Sequence, residues 1–139
     1  MSAVQRSALA GQWYPANRAS LESEIRGYIE NAQVPATNDE VVAVMSPHAG
    51  YAFSGPVAGY SFKALEGQTV DTAIIIAVCH SGAARASILD AEAYETPLGR
   101  TDIDTELVQE CIQRIPSLSY VEAAHGGMRG RAENSSELQ

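Results

Sequence analysis

Cysteine and lysine are the scarcest reactive side chains. Two cysteines, Cys79 and Cys111, are too few and too far apart for a disulfide framework or a zinc ribbon. A reduced, cytoplasmic setting is therefore the expectation. Lys63 is the sole lysine, and 9 basic against 17 acidic residues leave a net charge of −8. That balance argues against a nucleic-acid partner or an anionic membrane surface. No apolar run approaches a membrane span, and Met1-Ser2-Ala3-Val4-Gln5-Arg6 lacks the apolar core of a secretory leader. P-loop, G-x-G-x-x-G, H-E-x-x-H and C-x-x-C patterns are absent, which removes the usual nucleotide, zincin and thioredoxin readings. Internal repeats and low-complexity linkers are absent too.

What is present suits one α/β domain over residues 1–139, long enough to bury a core. Asn17 can cap a helix carrying Leu21, Ile25, Tyr28, Ile29 and Ala32 at helical spacing. Val41 to Met45 reads as a buried strand. A helix is predicted from about Pro56 to Leu65, with Val57, Tyr60, Phe62, Ala64 and Leu65 as its apolar surface and Gly67 at its exit. Gly59 inside it costs up to ~1 kcal/mol relative to Ala unless close packing needs it. Thr72 to Val78 is apolar on both faces, as a central parallel strand is. Further strands are predicted at Ala86–Ala91 and Leu118–Val121, with a turn at Glu95–Gly99. Asp104 caps a last helix that buries Leu107, Val108, Cys111, Ile112 and Ile115 before Pro116 stops it.

The chain is organised around Ser46-Pro47-His48-Ala49-Gly50-Tyr51-Ala52-Phe53-Ser54-Gly55-Pro56. His48 follows the first predicted strand, and His80 follows the second. In open α/β sheets, ligands bind beyond the carboxyl ends of the strands. A right-handed crossover would make the two strands parallel, and neighbouring strands lie ~4.8 Å apart. Two imidazoles leaving the same ends could converge on one divalent or redox ion such as iron, copper or zinc. Asp90, Glu92 and Glu95 are candidate carboxylates for such a site. Tyr51 and Ser54 are candidate pocket residues for a small molecule or a peptide. Cys79 reads as a strand-end core residue, because adjacent strand residues face opposite ways and no nucleophile elbow surrounds it.

Ser46-Pro47-His48-Ala49-Gly50-Tyr51 with Ser54-Gly55-Pro56-Val57-Ala58 resembles the signature of the MEMO family, including the AmmeMemoRadiSam system protein B group. Ala10-Gly11-Gln12-Trp13-Tyr14-Pro15 resembles its "AGxWYP" element, and Ala93-Tyr94-Glu95-Thr96-Pro97-Leu98-Gly99 its "WETPLG" element. The resemblance implies a three-layer α/β/α fold with a largely parallel or mixed sheet, related to class III extradiol dioxygenases. It implies a pocket in which His48 and His80 serve as ligands and catalytic groups, with His125 in a comparable "AH" context. A third ligand is implied in a C-terminal half that this stretch lacks, so the fold is expected to be incomplete and copies to associate. Two functions follow: a metal-dependent oxidoreductase with little turnover, or a non-catalytic adaptor that binds a peptide in the same pocket. A hydrolase using Cys79 is a third, weaker reading.

Overall fold

The computed structural model describes residues 4–36, 39–78 and 86–120. Its elements are β1 (Val4–Arg6), α1 (Arg18–Asn31), α2 (Tyr51–Lys63), β2 (Ser87–Ile88), β3 (Ala93–Thr96), β4 (Gly99–Asp102), α3 (Thr105–Arg114) and β5 (Ser119–Tyr120). The chain is thus mixed helix and strand, of the expected α/β class. Its contacts cluster into two units. One runs from Ala10 to Ala73; the other joins the chain up to Leu9 with the chain from Ile74 onward.

In the second unit a mixed sheet has the order β1-β3-β4. β1 runs parallel to β3, with Arg6 opposite Glu95, and an ion pair of 2.8 Å joins their side chains across that register. β3 and β4 form an antiparallel hairpin in which Thr96 pairs with Gly99. The predicted turn therefore tightens to Pro97-Leu98. Gly99 takes φ +140°, a conformation open to glycine alone at little cost. Ala93, on the central strand, is fully buried. β2 and β5 pair in parallel, within the short strands expected around Ser87 and Ser119. Asp104 caps α3 by accepting the Leu107 N–H at 2.9 Å. The expected stripe of α3 is only half-buried, and Ile115 is exposed.

The first unit rests on α1 against α2. Asn17 caps α1 by accepting the Ser20 N–H at 3.0 Å, and Leu21 is buried. Here the expected faces are reversed. The residues that α2 buries are Ser54, Gly55 and Gly59, while Val57, Tyr60 and Phe62 are exposed. Glycines let the two backbones approach. A Cβ on Gly55 would overlap the Tyr28 ring, and one on Gly59 the Tyr28 carbonyl. The close packing that the sequence required for Gly59 is present, and it faces α1. Gly67 has φ +82° at the exit turn, as expected. The helix starts at Tyr51 rather than Pro56 because the Phe53 and Ser54 N–H groups already bond the Gly50 carbonyl.

Val41–Met45 and Thr72–Val78 form no strand in the structure. Met45 and Ile76 are 92% and 94% exposed. The apolar pattern is right for a central strand, but a strand is a paired object. Its N–H and C=O groups need a ladder, and neither run belongs to a sheet among the described residues. No described helix is long and apolar enough to cross a membrane.

Candidate functional site

His48 lies between the apolar run and the first turn of α2, half-buried. Three contacts fix its surroundings. Its ring stands 5.8 Å from that of Trp13, tilted by 51°. The Tyr51 N–H donates to the Trp13 carbonyl at 2.8 Å. The Ser54 hydroxyl donates to the Ala49 carbonyl at 2.7 Å. Trp13 is itself held by a tight turn. Gly11 adopts φ +84° and donates its N–H to the Tyr14 carbonyl at 2.7 Å.

Behind this loop is an aromatic cluster. Tyr51 packs on Tyr14, with ring centroids 5.2 Å apart, and meets Tyr28 edge-on at 6.2 Å. The Tyr28 hydroxyl donates to Glu24 at 2.6 Å, and the Tyr51 carbonyl is a second acceptor at 3.3 Å. The hydrogen bond to Glu24, reinforced by burial and the carboxylate charge, pushes the Tyr28 phenol up to about 12. Burial, then the neighbouring Tyr14 and Glu24, raises the Tyr51 phenol. Both groups therefore stay protonated through the neutral range.

Of the sequence-predicted site residues, His48 in this loop and Tyr51 and Ser54 in the first turns of α2 lie together. Tyr51 is mostly engaged with other tyrosines, and Ser54 bonds the loop's own backbone. His80, His125 and Cys79 lie outside the described residues. Glu95 is paired with Arg6, and Asp90 and Glu92 are exposed. Among the described residues no group of three or more His, Cys, Asp or Glu side chains could hold a metal ion. Of the two predicted ligands, His48 is the one among the described residues, and one imidazole does not make an ion site.

Sequence reasoning placed Tyr28 only in the helical stripe of α1 and gave no role to Glu24, and none to Trp13 beyond its motif. Gly55 and Gly59, four residues apart on one helix face, were the available signal for Tyr28, since small residues at that spacing invite a close neighbour. An open cavity of about 460 Å³ lies among Val34, Pro35, Asp39, Glu40, Lys63 and Gln68; His48 does not line it.

A family model described as "Memo-like protein" matches residues 5–139. A MEMO1 family protein of Nitrosopumilus maritimus is 34% identical over 128 residues, covering 88% of this chain and 46% of the relative. One from Methanopyrus kandleri is 36% identical over 147 residues, covering 98% and 50%. One from Archaeoglobus fulgidus is 35% identical over 136 residues, covering 98% and 47%. The chain spans about half the length of the curated relatives it matches.

Proposed function

The chain belongs to the Memo-like family, and from that premise we propose that it supplies a two-histidine metal pocket formed by His48 and His80. The observation that supports this reading is the holding of His48. In the stretch that resembles the family signature, the imidazole is half-buried beside the Trp13 ring. The backbone on its far side is tied to Trp13 and to Ser54. A ligand held this way loses little freedom on binding.

His48 and His80 would hold the ion, which would supply Lewis-acid or redox chemistry. Iron, copper and zinc all accept imidazole nitrogen. Two nitrogen donors bind weakly, and a facial triad needs a carboxylate as well. Weak binding and little or no turnover of a dioxygenase-related kind are therefore expected of this chain. The proposed setting is the cytoplasm, where the free Cys111 thiol stays reduced.

Titration of the purified chain with Zn²⁺, Cu²⁺ and anaerobic Fe²⁺ tests the reading. His48→Ala and His80→Ala should each abolish binding with modest effect on folding. Binding unchanged in the double variant would place the ion elsewhere. A wild-type chain that binds no metal but retains a peptide would favour the adaptor reading instead.

A further inference from the structure

Ser54 was expected to line a ligand pocket, yet its hydroxyl is turned toward its own chain. It is a buried polar residue, 7% exposed, in the first half of α2. A serine within a helix ordinarily bonds the carbonyl four residues back. Here that carbonyl, of Gly50, is at 3.4 Å, and the shorter bond of 2.7 Å goes one residue further, to Ala49. Ala49 lies outside the helix and directly follows His48.

We infer that Ser54 is a positioning residue for His48: its hydroxyl locks the Ala49 peptide to α2 and so sets the imidazole against Trp13. Each link is in place. The Gly50 carbonyl accepts the first helical N–H groups. The Ala49 carbonyl takes the Ser54 proton. The Tyr51 N–H is bonded to Trp13. The backbone on the carboxyl side of His48 is thus tied to the helix by Ser54 and to the Trp13 segment by Tyr51. A hydroxyl carries one proton, and that proton is spent on Ala49. Ser54 therefore has no proton left to donate to a ligand, and its bond acts on the backbone that follows His48. The inference rests on His48 being the functional group of the loop, but its test does not need a bound ion.

The test is nuclear magnetic resonance of the imidazole protons in the full chain, with His48 assigned by its loss in His48→Ala. In the wild type, the Trp13 ring gives these protons a ring-current shift; Trp13→Ala defines their position without it. Ser54→Ala should move the His48 signals toward that position. Val57→Ala, on the exposed face of the same helix, should leave them in place. Ser54→Cys, near in size but a weak donor, should move them in the same direction, and it carries the test if the alanine variant does not fold. His48 signals that stay put in the Ser54 variants, or that move equally in Val57→Ala, overturn the inference. Failure of the wild type to bind metal would retire the two-histidine function while leaving this result standing. Metal binding lost on His48→Ala and on His80→Ala, with unmoved signals in Ser54→Ala, would do the reverse.

Discussion

Gly59 meets Tyr28 backbone to backbone: a Cβ at residue 59 would fall within the van der Waals surface of the Tyr28 carbonyl oxygen. The neighbour there is main chain, which cannot swing aside as a flexible side chain can. One turn earlier, Gly55 accepts the Tyr28 ring in the same way. The α1–α2 interface is therefore set by two missing side chains on α2 and one large one on α1.

Gly59→Ala should destabilise the chain by about 1–3 kcal/mol, the range for overpacking a tight contact. The gain in helix propensity, up to ~1 kcal/mol, does not offset it. Gly27→Ala in α1 should do the opposite. A Cβ there meets nothing within 4 Å, so only the propensity gain of up to ~1 kcal/mol remains. Urea midpoints of the two variants should move in opposite directions.

Alkaline pH should weaken the fold through Tyr28. Its phenol is raised from 10.0 to about 12 in the folded chain, so the folded state binds its proton more tightly than the unfolded state does. The stabilisation is fully present below about pH 10 and is lost as pH rises toward about 12. Tyr51, raised by burial, acts with the same sign. Tyr28→Phe should flatten this alkaline fall. Ultraviolet titration of the phenolates should show one group fewer ionising late.

Caps should outweigh surface ion pairs. Asn17→Ala removes the acceptor for the Ser20 N–H and should cost about 1 kcal/mol. Glu95→Ala breaks the pair with Arg6, whose side chains are 43% and 80% exposed; such pairs give about 0–1 kcal/mol and weaken with salt. Thermal melts at low and high salt should rank the two variants in that order, the gap widening with salt.

Association is expected at micromolar concentration. Val42, Met45, Phe53, Ile74 and Ile76 are all more than half exposed, and apolar surface left open drives contact between copies. Sedimentation velocity should show a weight-average mass that rises with concentration, and Ile76→Lys should reduce the rise. A clean monomer with a sharply cooperative melt would count against this expectation.

What the sequence determined by itself is local. Asn17 and Asp104 cap their helices because a short polar side chain can reach the free N–H groups of its own first turn. Gly67 marks an exit turn because it accepts a positive φ. The His48 motif identified the candidate loop because its residues are consecutive. Tertiary structure alone decided which face of α2 is buried. Apolar spacing nominated Val57 and Tyr60, but α1 packs where the side chains are absent, at Gly55 and Gly59, since only there can two backbones come close. It also decided the role of Ser54, because a hydroxyl's partner depends on which carbonyl the fold leaves within reach. The apolar runs at Val41–Met45 and Thr72–Val78 carry the pattern of strands without the ladder. Pattern is a property of one segment and pairing a property of two, and the chain spans about half the length of its relatives.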